Sequence, residues 1–139
     1  MFLLDTNVLS AIMAADPEPA VAAWVSGQDI ELLFTTAISR AEIMAGLAIM
    51  PDGRRRTTLE AAARDMFQED FSGRVLPFDV AASDAYATLF AARRRIGRPP
   101  ATIDLMIAAI ASSLGASVVT RNVGDFDDCG VTVINPWIA

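Results

Sequence analysis

Residues 1–10 read MFLLDTNVLS. Met1 to Leu4 make an apolar run of the kind that becomes a buried strand, and the run stops on Asp5, followed at once by Thr6 and Asn7. An acid at a strand's carboxyl end either caps the helix that follows or forms half of a site. Thr6 or Asn7 could cap equally well, and three capping residues in succession exceed what a cap requires. Position at the strand end favours a site.

Working outward, the chain alternates strand-like and helical stretches. Leu9 to Ala15 continue as a short helix, and Asp16-Pro17 opens another, with Asp as cap and Pro in the first helical position. Glu31 to Thr36 predict a second strand, Ser39 to Met50 a helix stopped by Pro51, and Gly53 to Phe71 a long helix with an Arg-rich start. Val75 to Phe78 predict a short strand. Asp79 caps a helix to about Ile96, closed by Gly97. After Pro99-Pro100, Thr102 opens a helix with Ile103, Ile107, Ile110 and Leu114 on one face. Ser117 to Thr120 and Val131 to Ile134 are the last strands. No repeat or linker divides residues 1–139, which are expected to form a single α/β domain, a three-layer sandwich with a mainly parallel central sheet. In such sheets ligands lie beyond the carboxyl ends of the strands, so each acid is weighed by whether it falls there.

Glu42 has a strong structural reading, because Ser39-Arg40-Ala41-Glu42 fits the S-x-x-E capping box. It also follows the second strand, and one rotamer cannot serve both the box and a site. Asp104 falls in the first turn of a helix otherwise apolar on every side. The helix dipole explains an acid there, but a buried carboxylate is costly unless paired or metal-bound, so a site is favoured. In the stretch TRNVGDF (residues 120–126), Thr120, Asn122 and Asp125 suit a loop and also fall at a strand's carboxyl end. Asp79 and Asp84 suit a cap and a surface, and Asp127-Asp128 a solvated loop.

Composition removes several chemistries. With 139 residues, 53% of them hydrophobic, the chain can bury a real core, and the excess apolar content suits a core plus a partner interface. There is no His and no Lys; all 11 basic residues are Arg. Ser-His triads, His zinc sites, Schiff bases and P-loop lysines are excluded. The single Cys129 excludes an internal disulfide and fits a reducing, cytoplasmic setting. No stretch reaches the roughly 20 apolar residues of a membrane span, and the N-terminus lacks the basic start of a signal peptide. A net charge of −6 argues against a general nucleic-acid coat. What remains is carboxylates, hydroxyls, amides, Arg and any cation the carboxylates hold. Oxygen-only ligands select Mg²⁺ or Mn²⁺.

Taken together, LLDTNVLS, SRAEIMAGL, GRPPATIDLMIAAIA, VVTRNVGDF and INPW resemble the PIN-domain family, and more narrowly the VapC toxins of type II toxin–antitoxin pairs, including the FitB-like branch. The resemblance runs from the first strand to the last. It implies a PIN-like fold and a metal-dependent endoribonuclease. The family's acidic quartet maps onto Asp5, Glu42 and Asp104, with the fourth place in the loop after the fourth strand. There the family pattern often holds Asp where this chain has Asn122, and Asp125 is the alternative. Thr6, Asn7 and Thr120 would support the carboxylates. Mg²⁺ or Mn²⁺ held by Asp5 and Asp104, with Glu42 direct or through water, would activate a water for in-line attack. A two-metal arrangement would leave 5′-phosphate and 3′-hydroxyl ends. The resemblance further implies a homodimer and a small antitoxin that blocks the acidic pocket, in a complex that binds DNA through the antitoxin.

RNA needs a cationic grip. Arg121 beside the site is the foremost candidate, followed by the cluster Arg93, Arg94, Arg95 and Arg98, which also suits a helix C-terminus. Arg54-Arg55-Arg56 suits a solvated face better. Met13, Met44, Met50, Met66 and Met106 are expected in the core. A haloacid-dehalogenase-type phosphatase and a phosphoryl-receiving domain both want a Lys that is absent. The remaining rival is a PIN-like scaffold that binds RNA or protein without cutting.

Overall fold

The computed structural model describes residues 1–98 and 101–139; the expected break at Pro99-Pro100 lies outside them. Parallel strands β1 (Phe2–Leu4), β2 (Leu33–Thr36), β3 (Val75–Leu76), β4 (Ser117–Val119) and β5 (Val133–Ile134) form one sheet in the order β3-β2-β1-β4-β5. The helices are α1 (Thr6–Met13), α2 (Pro19–Ser26), α3 (Ala37–Ala48), α4 (Arg54–Asp65), α5 (Val80–Arg95) and α6 (Thr102–Leu114).

Side chains alternate across a strand, so successive residues of β1 serve opposite faces. Leu3 and Val118 pack under α5 and α6, with Leu105, Ile107 and Ile110. Leu4 and Val119 pack under the other helices, with Val8, Leu9, Ile43, Leu47 and Met66. Both faces of the sheet are thus covered, which explains the short, mainly apolar strands. Ala108, Ala109 and Ala111 are fully buried, and these small side chains let α6 lie close to its neighbours. Met13, Met44 and Met50 pack half-buried against the second core, and Met106 is half-buried. Among the described residues no helix is long and apolar enough to cross a membrane.

Several boundaries differ from expectation, each for a local reason. Helix α1 starts at Thr6 rather than Leu9 because Asp5 caps it, accepting from the Thr6 amide at 2.8 Å. Helix α2 uses the second acid-proline pair, Glu18-Pro19, rather than Asp16-Pro17. The helix expected to end at Met50 begins at Ala37, capped by Thr36, whose Oγ1 accepts from the Ser39 amide at 3.0 Å. Strand β2 therefore runs straight into α3, and the Ser39–Glu42 capping box does not form. The long helix from Gly53 ends at Asp65 and relaxes into a π-helical turn over Met66–Asp70. On α6, Ile107 and Ile110 are buried as expected, but Ile103 and Leu114, at the two ends of the helix, are 43% and 47% exposed.

Candidate active site

The sheet order places a topological switch at β1 and β4: from β1 the chain moves outward to β2, and from β4 to β5 on the other side. Connections diverge there and leave a crevice at the carboxyl edge. Leu4 stands opposite Val119, so the next residues, Asp5 and Thr120, meet across that crevice. The Asp5 amide donates to the Val119 carbonyl at 2.9 Å, extending the pairing by one residue.

Asp5 is both the cap and the floor of the crevice. Its Oδ1 accepts from the Thr6 amide, and its Oδ2 accepts from Thr120 Oγ1 at 2.8 Å and from Asn7 Nδ2 at 3.4 Å. Asn7 Nδ2 also donates to Thr120 Oγ1 at 3.1 Å, as does the Asn122 amide. Asn7 Oδ1 accepts from the Arg121 amide at 3.1 Å. Thr6, in the first turn of α1, donates through Oγ1 to Glu42 Oε1 at 2.6 Å. Freed from the capping box, Glu42 thus reaches across from α3 to α1.

The acids also bear on one another electrostatically. Burial pushes the Asp5 carboxyl up; hydrogen bonds from Thr120 and Thr6 oppose this, and Glu42 and Asp125 add to it. Asp104 is pushed up from 3.8 to about 6, first by burial, then by Asp125, Asp5 and Glu42. Asp5, Glu42, Asp104 and Asp125, from four elements, therefore share one field. Among the described residues no guanidinium relieves Asp5 or Asp104. In the loop after β4, Asp125, on the short turn Val123–Phe126, is exposed and adds its charge to this field. Asn122 is exposed and contributes its backbone amide.

Among the described residues, no three acids come together as a ready-made metal cage. The donors are all oxygen, partly held by hydroxyl and amide groups, and their charge is unbalanced. That set fits a hard cation that keeps several waters and takes few protein ligands. Beside the acids, between α1, α3 and α4, opens a groove of about 900 Å³. Met13, Ile43, Leu47 and Leu59 line it, Thr6 and Glu42 form its acidic end, and Arg54 and Arg55 stand on its rim. Sequence reasoning had placed these arginines on a solvated face and missed the groove, which three separate helices build.

Of the other arginines, Arg93 and Arg98 differ from expectation. Arg93 is buried, its guanidinium donating to the carbonyls of Arg98 and Asp127, so it is not free for phosphate. Arg98 pairs with Asp128 at 2.8 Å. Arg94 is exposed, and Arg121 lies with Cζ 5.2 Å from the ring centroid of Trp137. In the sequence Trp137 stands out only through the INPW motif.

A parallel sheet in this order, with acids brought to its switch point from β1, α3, α6 and the loop after β4, defines a PIN-like α/β domain. The PIN domain family matches residues 2–130, and the chain belongs to that family. A VapC ribonuclease, Y4jK of Sinorhizobium fredii, is 43% identical over 137 residues, 99% of this chain and 98% of that one. The toxin FitB of Neisseria gonorrhoeae is 34% identical over 137 residues, covering 99% of each chain. The solved structure of FitAB bound to an IR36 DNA fragment matches 99% of this chain and 96% of its own, with TM-score 0.91 and 34% identity.

Proposed function

We propose that this chain is a Mg²⁺- or Mn²⁺-dependent endoribonuclease and the toxin half of a toxin–antitoxin pair. The observation that carries the reading is the field of Asp5, Glu42, Asp104 and Asp125 at the β1–β4 switch point, unrelieved by any guanidinium among the described residues. The relatives named as a ribonuclease and a toxin support it. Asp5 and Asp104 would hold the cation, with Glu42 and Asp125 bearing on it through water. When bound, the cation would supply Lewis acidity toward a phosphate oxygen and acidify a water.

The chain's own residues prepare that chemistry. Thr120 and the Thr6 amide fix both oxygens of Asp5, so the carboxylate cannot swing with substrate. Thr6 holds Glu42 in place, and Asn7 links the β1 end to the β4 loop. Such outer contacts orient ligands and keep them ionised. Without a cation the acids weaken the hold on a phosphodiester without abolishing it, so metal should tighten substrate binding rather than be required for it.

The groove beside the acids suits an amphipathic segment of the antitoxin. Its apolar wall would take aliphatic side chains, and a basic side chain at the acidic end would stand in for the metal. A neighbouring solved structure is a FitAB complex with DNA; a homodimer, and DNA binding through the antitoxin, are the corresponding expectations here.

Cleavage of a mixed tRNA and rRNA pool tests the reading, comparing the chain with Asp5→Asn and Asp104→Asn in Mg²⁺, Mn²⁺ or EDTA. Cutting should require the metal and fall by at least ~100-fold in both variants. Folded, antitoxin-free protein that binds RNA without cutting it would transfer the assignment to a binding scaffold.

A further inference from the structure

Arg121 and Arg40, which lies over the Phe67 ring, stand apart from the other arginines whose partners are defined, and of the two Arg121 adjoins the acidic crevice. Arg56 pairs with Asp52 and Glu60, Arg98 with Asp128, and Arg74 and Arg93 cap backbone carbonyls. Among the described residues Arg121 has no carboxylate within ion-pair distance, although it follows directly on Thr120 at the acidic crevice. It relieves neither Asp5 nor Asp104. Its guanidinium is held away from the acids, over the indole of Trp137, with Cζ 5.2 Å from the ring centroid.

Both halves of this pair are anchored. The Arg121 amide donates to Asn7 Oδ1, and Asn7 in turn contacts Thr120 and Asp5. The Trp137 amide donates to Asn135 Oδ1 at 2.9 Å, and the half-buried indole packs against the core that includes Leu4 and Val119. An exposed guanidinium backed by an aromatic ring keeps its donors free and loses little freedom on binding. Such a group forks onto a phosphate, and its open face stacks a nucleobase.

We propose that Arg121, backed by Trp137, is a substrate-positioning residue that grips single-stranded RNA at the nucleotide next to the scissile phosphate. Its guanidinium donates to that nucleotide's phosphate and carries the base on its outer face. The word scissile rests on the nuclease reading; the grip itself does not.

The chain has two tryptophans, so Trp24→Phe leaves Trp137 as the only reporter. Trp24 packs edge-on against Phe2, a contact that Phe can also make. In EDTA, a short mixed-sequence oligoribonucleotide should change Trp137 emission saturably. Arg121→Ala should weaken binding about tenfold and lower the salt-dependence slope by about one, with an unchanged melting temperature. Arg121→Lys should restore the salt slope but only part of the affinity. In Mg²⁺, the otherwise wild-type chain carrying Arg121→Ala should show a raised KM with kcat nearly unchanged.

Cutting by the parent with Arg121→Ala unchanged in KM and binding overturns the grip and leaves the nuclease reading standing. Arg121-dependent binding with no cutting does the reverse. An oligoribonucleotide that is neither bound nor cut by the parent overturns both. Loss of antitoxin affinity alone in Arg121→Ala would make the residue a protein contact and also overturn the grip.

Discussion

Two concentrations of charge, one basic and one acidic, have opposite fates. At the end of α5, Arg93, Arg94 and Arg95 follow one another, and Arg98 lies one turn on. Arg93 folds inward and staples the loop around Cys129, donating to the carbonyls of Arg98 at 3.2 Å and Asp127 at 2.5 Å and to Cys129 Sγ at 3.4 Å. Arg98 closes the same loop from outside through Asp128. At the carboxyl edge of the sheet, by contrast, Asp5 and Glu42 accept from hydroxyls and amides, and among the described residues no guanidinium pairs with them or with Asp104 and Asp125. Charge answered inside the chain maintains structure, whereas charge left unanswered is available to a ligand. A run of like charges is visible in the sequence, but whether it is answered depends on residues brought in from elsewhere.

The comparison breaks most visibly at Arg93. Arg93→Ala removes a buried donor from two carbonyls and opens a cavity, so unfolding free energy should drop by about 3 kcal/mol in urea titration. Per folded molecule, RNA cleavage at low temperature should hardly change. A variant that keeps its stability and loses cleavage would move Arg93 from the loop to the substrate.

The candidate site was more legible than the basic cluster for a physical reason. Asp5 and Asp104 sit where local pattern conflicts with burial, an acid closing an apolar strand and an acid opening an apolar helix, and such conflicts survive in sequence. The PIN-like fold was legible in the same way, from apolar runs alternating with helical stretches. Glu42 was harder, because Ser39-Arg40-Ala41-Glu42 satisfies a local rule that the passage of β2 into α3 overrides. The choice between Asp16-Pro17 and Glu18-Pro19 is equally invisible locally; Val21, fully buried from α2, shows how packing resolves it. Arg93 meets Asp127 across 34 positions of chain, and Arg121 meets Trp137 from the last strand's tail. Neither contact leaves a periodic trace.

A smaller effect of opposite sign is expected at the acidic edge. Asp104 titrates near 6 when folded, against 3.8 as its ordinary value. Below about pH 4 both folded and unfolded chains carry the proton, and the shift has no effect on stability. Between about 4 and 6 the folded state holds the proton more tightly, so stability falls as pH rises, and above 6 the cost is complete. Such a shift would amount to about 3 kcal/mol in a fully buried setting, and screening at a half-buried carboxyl reduces it to about 1–2 kcal/mol. In EDTA, Asp104→Asn should therefore melt higher than the parent at pH 8 and at the same temperature at pH 4. Mg²⁺ should raise the parent's melting temperature more than the variant's. Equal melting at pH 8 would mean that the acids are not in one unrelieved field.

Arg98 gives the finest discrimination. Its guanidinium and both carboxylate partners are about half exposed, at 49% for Arg98 and 52% for Asp127 and Asp128. An ion pair in that setting contributes less than about 0.5 kcal/mol, because water screens it and two flexible side chains are held for it. Arg98→Ala should thus shift the urea midpoint barely, and less than one-sixth as much as Arg93→Ala, although both act on one loop. Since its charge is already matched by Asp128, the variant should also leave the salt dependence of oligoribonucleotide binding unchanged, unlike Arg121→Ala. A lowered slope in Arg98→Ala would show that RNA can draw Arg98 away from Asp128, and a paired surface charge would then have to be counted among those available to a ligand.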